Sequence, residues 1–451
     1  MYEVRDVFLE ERKLKDIAIT CIELAKNQVD SIEVKIKKTQ GMNVTVRKGI
    51  AEYIEFSNDS ILFLTVYKKN CKGSASSTNF RTDVIKKTLQ AAITIAENTS
   101  IDCYAGLPHI KNLAIDDKII DLNLLHPKYI NLNHAFELAL LAENAAFKFD
   151  SRIVNSEGVS FSSALSTIVC CNSIGLLQGY STSLYSLSCG SIAQSHNIMQ
   201  RDYSYSIARK IDDLNPAQSI GEESAKRSIA RLYPKKINSI KSPVIFSSEV
   251  SPSFFYHFAN AINGYNVNNK STFLLNELNN YIFPKFLSIS DNPHIKKGLG
   301  SKPFDNEGVY TRTQLIVNQG KLISWLLDSY TAIKLGLNTT GHSGGIHNLL
   351  IQDHLSNNVN FINLLKYMNT GLLVTELMGD GVNITTGDYS RGIFGFWIEN
   401  GVVQYSVSEV TISGNLKQMF QDIIKISNDI NINSCIKCGS LLLSNMQISG
   451  L

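Results

Sequence analysis

From Gly158 to Gln200 the chain carries no Asp, Glu, Lys or Arg, and Ser, Thr, Asn or Gln interrupts the apolar residues every few positions. Those interruptions bar the run from a bilayer core, where each polar group would need a partner. The wider segment Ser151 to Arg209 is poor in helix formers and rich in Ser, Tyr, Val and Thr, with Gly158, Gly175, Gly179 and Gly190 as turn points. β-Branched and aromatic residues broken by glycine favour short-linked strands. The pattern predicts an antiparallel meander, and the rest of the chain has to fold around that sheet.

Hydrophobic residues make up 44% of the 451 positions and charged ones 18%, which suits a packed core and not a disordered chain. The 43 basic and 40 acidic residues leave +3, too little for binding nucleic acid by bulk charge. At roughly 150 residues per domain the length allows two or three domains. Met1 to Asp16 mixes both signs of charge and has no signal-peptide core. Eight irregularly spaced cysteines fit reduced thiols better than a disulfide framework, so a cytoplasmic location is expected.

Ahead of the meander, Ile17, Cys21, Leu24 and Ala25 recur at helical spacing, while Ile32, Val34 and Ile36 alternate as in a strand. Val44 with Val46, and Ile61 to Tyr67, are two further strand candidates, and Gly73 to Asn79 reads as a turn. Val84, Thr88, Leu89, Ala92, Ile93 and Ala96 form one apolar stripe behind a cap at Thr82 or Asp83. This predicts helix, three strands, helix. A connector over 109–127, holding the Asp116-Asp117 pair, leads to a helix from Tyr129 to Phe147; another spans Ile220 to Leu232, and Pro234 to Pro243 is a linker.

Past the linker come a strand at Val244 to Phe246 and a helix over Phe254 to Asn263 with Ser251 as cap and Pro252 in its first turn. Lys270 to Tyr281 is expected to be helical, and Leu315 to Ile323 and Gly387 to Val410 to be glycine-punctuated strands. The fold class is α+β. An N-terminal α/β region with a mixed sheet, in sub-regions 1–120 and 121–235, precedes a β-rich C-terminal domain over 236–451. No internal repeat argues for a solenoid or propeller.

A zinc-hydrolase helix needs two imidazoles on one face and a carboxylate to polarise the metal-bound water. None of the nine histidines is followed by glutamate. Cys435 and Cys438 form one Cys-x-x-Cys without the second pair a structural zinc needs, so ordinary buried thiols are favoured over a metal or redox role. His342 and His347 flank a glycine-rich turn and can share a metal, with His354 as a third ligand. The alternative, which is favoured, is a tight loop whose imidazoles bond backbone carbonyls. There is no Gly-x-Ser-x-Gly elbow and no phosphate loop. The densest polar string is Thr385 to Gly401, in which Asp388 and Arg391 either pair with each other or meet a substrate. Glu399-Asn400-Gly401 reads as a hairpin turn.

Gly387-Asp388-Tyr389-Ser390-Arg391-Gly392, Gly395-Phe396-Trp397-Ile398-Glu399-Asn400-Gly401 and Val407-Ser408-Glu409-Val410-Thr411-Ile412-Ser413-Gly414-Asn415-Leu416 resemble the PmbA (TldE) branch of the TldD/PmbA metallopeptidase family. Pro303-Phe304-Asp305-Asn306-Glu307-Gly308, Gly341 to Asn348, Thr375-Glu376-Leu377-Met378-Gly379 and Cys438-Gly439-Ser440 extend the likeness, and weaker matches run through nearly the whole chain.

The resemblance implies a cytoplasmic metalloprotease that degrades or processes peptides and pairs a PmbA-type chain with a TldD-type sister as a heterodimer. In that family TldD-type chains carry a His-Glu-x-x-x-His helix and a later cysteine that completes the zinc site. Here the corresponding helix falls near Tyr256 to Ala261, with Tyr256 at the first ligand position, His257 left over, and Cys438 matching the later cysteine. The expectation is therefore no catalytic residue, cofactor or metal in this chain, Cys438, His342 and His347 being minor metal candidates, and zinc in the partner. Asp388, Arg391, Glu399 and Glu376 are candidates for lining the substrate cleft. The Gly158 to Gln200 meander and the Arg391 strand are candidate edges for capturing an unfolded or extended peptide. Neither nucleic acid nor membrane is an expected partner. The alternatives are a stand-alone metal-dependent hydrolase using His342, His347 and His354, and a non-enzymatic regulatory binding protein.

Overall fold

The computed structural model describes residues 4–115, 119–354 and 359–450. The N-terminal half is built on six long strands: β1 (Ser31–Arg47), β2 (Ile50–Lys68), β3 (Cys71–Ser77), β4 (Ile153–Asn172), β5 (Leu177–Ser195) and β6 (Ile198–Ala208), ordered β3-β2-β1-β4-β5-β6. The helix, three strands, helix order holds, but the strands are drawn differently. Ile32 to Ile36 and Val44 to Val46 belong to one strand, and the expected turn at Gly73 to Asn79 mostly lies in β3. The predicted meander is β4, β5 and β6. All pairings in this sheet are antiparallel, so the mixed pairing expected here is corrected; parallel pairs occur in the C-terminal half, β7–β12 and β11–β16.

The strand period places Ile32, Val34, Ile36, Met42, Val44 and Val46 on one face of β1. Helices α1 (Val4–Ala25) and α2 (Thr82–Glu97) share a core with the first three, while α3 (Leu132–Phe149) and α4 (Ala217–Ala230) share one with the last three. Helices α3 and α4 cross closely because α4 offers Gly221, where a Cβ would sit 2.0 Å from the Ala142 carbonyl oxygen. Helix α3 starts later than periodicity predicts because Asn131 caps it, accepting from His134 N at 2.8 Å. The residue capping α2 is Arg81 and not Thr82 or Asp83; Asp83 instead forms an ion pair with Arg81. The Asp116-Asp117 pair lies outside the described residues.

The C-terminal half holds β7 (Ile240–Phe246), β8 (Leu287–Asp291), β9 (Gln314–Asn318), β10 (Lys321–Leu322), β11 (Leu349–Asp353), β12 (Gly371–Val382), β13 (Asp388–Glu399), β14 (Val402–Asn415), β15 (Ile423–Ile426), β16 (Ile436–Lys437) and β17 (Leu441–Ser449). Strands β14-β13-β12-β7-β17 close on themselves through Thr411 and Ser449 into a small barrel, and β10-β9-β8-β11-β16 form a second sheet. Val244 and Phe246 face a core shared with helix α5 (Ser251–Ala261), whereas Ile245 faces the helix over Phe361–Met368. The Asn400-Gly401 hairpin is as read, both residues having positive φ (53° and 72°) as a two-residue turn requires.

Three expectations fail here. The linker ends earlier, since β7 begins at Ile240. Val250 caps α5, while Ser251 is its first residue and donates Oγ–H to the Gly439 carbonyl at 2.9 Å. Lys270 to Tyr281 forms turns, because neighbouring segments take its amides: Phe273 N donates to Ile384 O and Asn279 N to Leu322 O. Among the described residues, no helix is long and apolar enough to cross a membrane.

Candidate functional site

The C-terminal end of β8 places Asp291 against the glycine-rich loop from Gly341 to His347. Gly341, Gly344 and Gly345 have positive φ (71°, 96° and 93°), and a Cβ on Gly344 would strike the Asn306 side chain at 2.3 Å. That turn brings His342 Nε2 to 2.9 Å and His347 Nδ1 to 2.7 Å from the same oxygen, Asp291 Oδ2. The His347 amide donates to both carboxylate oxygens, at 3.1 and 3.2 Å. The imidazoles therefore bond a carboxylate and not backbone carbonyls, contrary to expectation. His354 is not part of the group, its Nε2 lying 2.8 Å from Ser288 Oγ. Asp291, 51 positions before His342, had no local signal to mark it.

Two imidazoles and a carboxylate whose ligand atoms lie within 4.8 Å of one another can in principle hold a transition metal. The arrangement does not fit a catalytic one. Asp291, His342 and His347 are 0%, 3% and 2% exposed, and Oδ2 already accepts from both rings, so no ligand position is open to water or substrate. Burial alone would raise Asp291, but the hydrogen bonds and charge of His342 and His347 outweigh it and hold the carboxyl at about 2. Burial lowers His347 despite its bond to Asp291. The group is an ionised carboxylate locking a loop onto a strand.

At the second candidate centre, Cys438 is fully buried, and its Sγ lies 3.2 Å from Gly439 O, the carbonyl that also accepts from Ser251 Oγ of α5 at 2.9 Å. Burial pushes this thiol up to about 12, so it stays protonated. The α5 residue at Cys438 is thus a serine, while Tyr256, expected at the first ligand position, is 53% exposed. Among the described residues, no cluster of His, Cys, Asp or Glu donors includes Cys438, so a tetrahedral zinc would lack ligands here. His257 is buried, and among the described residues neither its Nε2 nor the hydroxyl of Tyr389, whose ring lies 6.2 Å away, finds a partner. Burial and the charge of Arg391 lower His257.

The four cleft candidates do not converge. Asp388 and Glu399 are the first and last residues of β13, about 36 Å apart at 3.3 Å per residue. Asp388 accepts from Thr386 Oγ1 at 2.6 Å and Glu399 from Trp397 Nε1 at 2.9 Å. Arg391 turns to Asp380, 3.6 Å away, and to Met378 O; it does not pair with Asp388. Glu376 is held by Arg231 and by Arg201. Strand β13 lies between β12 and β14, and β4 and β5 lie inside their sheet, so the edges expected to capture a peptide are mostly paired already.

The chain matches three family descriptions in order: PmbA/TldA metallopeptidase domain 1 over residues 32–96, the central domain over 125–232 and the C-terminal domain over 239–450. It is 47% identical to a metalloprotease PmbA homolog of Buchnera aphidicola subsp. Acyrthosiphon pisum over 450 residues, all of both chains. It is also 47% identical to metalloprotease PmbA of Escherichia coli O157:H7, covering 100% of this chain and 99% of that one. The crystal structure of TldE from Thermococcus kodakarensis shares the fold with a TM-score of 0.83 and 18% identity, over 97% of this chain and 100% of that one.

Proposed function

This chain belongs to the PmbA/TldA metallopeptidase family, in its PmbA (TldE) branch, and from that premise we propose that it is a subunit that carries no zinc of its own and completes the peptide cleft of a TldD-type catalytic chain. The observation that supports this reading is at Cys438, where α5 presents the hydroxyl of Ser251 and, among the described residues, no cluster of His, Cys, Asp or Glu donors includes the thiol. A zinc ion bound elsewhere in the assembly would supply a polarised water; this chain's residues bind and shape.

The only three-donor metal candidate among the described residues is the Asp291 group, enclosed and saturated with internal hydrogen bonds. A stand-alone hydrolase would have to work there without His354 and without a route for substrate. The substrates proposed are extended peptides, processed in the cytoplasm by the two-chain assembly. Purified alone, the chain is expected to hold far less than one zinc per molecule and to leave casein and short peptides intact. Mixed with a TldD-type chain it is expected to raise that chain's turnover. One tightly held zinc with chelator-sensitive cleavage by the isolated chain, contamination excluded, would overturn the reading.

A further inference from the structure

Strand β2 changes character half-way along. From Leu62 to Lys68 it lies between β1 and β3, and its side chains alternate largely between buried and exposed. From Ile50 to Ile61 it still pairs with β1, but among the described residues no strand lies on its other side, and alternation gives way to near-continuous exposure. Ile50 is 71% exposed, Phe56 68%, Tyr53 50% and Ile54 43%. A long edge rich in exposed apolar residues is a template for another strand, and proteins usually guard such edges with lysine, proline or a covering loop. Residues 50–61 contain neither Lys nor Pro.

Beside this edge, in the gap between the two helix layers, is a half-open cavity of about 360 Å³ lined by Met42, Phe56, Tyr129, Ile130, Leu165 and Tyr185 among others. It is mostly apolar and large enough to take one bulky side chain. The charge on the edge selects the occupant. Residues 50–61 hold Glu52, Glu55 and Asp59 and no cation. An antiparallel pairing with a second copy centred on residues 50–61 would set Glu52 of each chain opposite Asp59 of the other, and like charges directly opposite destabilise a strand pair. A strand carrying Lys or Arg would be drawn to the same carboxylates.

We propose that the outer edge of β2 from Ile50 to Ile61 docks a different polypeptide, which adds an extended strand bearing Lys or Arg and seats one large apolar side chain in the adjoining cavity. The inference rests on the two-chain reading above and names the contact. The probe is a TldD-type chain co-expressed with this one, its affinity measured by interferometry and its footprint by amide hydrogen exchange. Exchange at residues 51–60 is expected to slow at least ten-fold in the complex. Glu52→Lys/Glu55→Lys and, separately, Phe56→Ser are expected to weaken binding at least ten-fold while leaving the melting temperature of the isolated chain within about 2 °C. A complex with unchanged affinity in both variants and unchanged exchange at 51–60 overturns this inference and leaves the two-chain reading intact. Absence of any complex overturns both. Self-association of the isolated chain that protects 51–60 makes a second copy the occupant and also overturns it.

Discussion

A single oxygen, Asp291 Oδ2, receives two ring N–H groups and part of a backbone amide, and this concentration makes its environment sensitive to acid. His347 is lowered in the folded chain, so folding favours its neutral form; the stability it contributes is complete above about 6.5 and falls as pH drops through that value. Asp291, held at about 2 against 3.8, contributes stability above 3.8 that is lost between there and about 2. The stability difference between the wild type and His347→Gln, read from urea midpoints, is therefore expected to shrink between pH 7.5 and 5.5, a comparison in which groups titrating elsewhere in the fold cancel. Asp291→Asn, which removes the charge those donors surround, is expected to cost about 2–4 kcal/mol at pH 7. His257 is the opposite case. Its Nε2 is buried with no partner among the described residues, so His257→Leu removes an unpaired polar atom and should be neutral or stabilising by about 1 kcal/mol in the same titration. A loss above 2 kcal/mol would mean that the ring has a partner in solution.

Among the elements, the turn from Lys302 to Tyr310 wedges the two halves together. Phe304 sets its ring edge-on to Tyr180 of β5, and Val309 bridges to Leu113. Behind the turn, burial pushes Asp305 up to about 6 against backbone donors from Val309, Glu307 and Ser343, while burial and the charge of Asp305 push Glu307 up to about 7. Both folded values lie above the unfolded ones of 3.8 and 4.5, so the stability these groups contribute is complete below those values and is lost as pH rises from there through about 6 and 7. Glu307→Gln should raise stability by about 1–2 kcal/mol at pH 8 and by much less at pH 5, read from urea midpoints; equal effects at both would show that Glu307 ionises freely. Sequence periodicity revealed elements like these wherever one face is buried, as in α2, α3 and the meander. It failed where a neighbouring segment overrides local composition: β3, rich in Gly and Ser, is a strand because β2 pairs with it across a hairpin, and Lys270 to Tyr281 is not a helix because the distant residues 322 and 384 take its amides. The family resemblance had a similar limit, marking the loop of His342 and His347 while Asp291 remained invisible until β8 and that loop were brought together.

At the scale of the whole molecule, the halves are joined by a cation between two carboxylates. Arg231, just after α4, bonds Asp202 of β6 through Nε at 2.7 Å and Glu376 of β12 through Nη1, with the Phe394 ring 4.1 Å from its guanidinium carbon. The side chain is 6% exposed, so its charge depends on those two partners. Burial already pushes Asp202 up despite Arg231 beside it. The attraction must offset the desolvation of three groups, and such arrangements are often no more stable than an apolar replacement of the same volume. Removing Arg231 is different, because it leaves Asp202 buried without its cation and Glu376 with only Arg201, 3.6 Å away. Arg231→Met is therefore expected to lose about 3–5 kcal/mol in urea unfolding at pH 7. Adding Asp202→Asn and Glu376→Gln should restore more than half of that loss, since the stranded charges disappear while Met packs against Phe394. A triple variant as weak as the single one would place the stabilisation in the contact of the guanidinium with the ring, and the charges would then serve to fix which surfaces of the two halves meet.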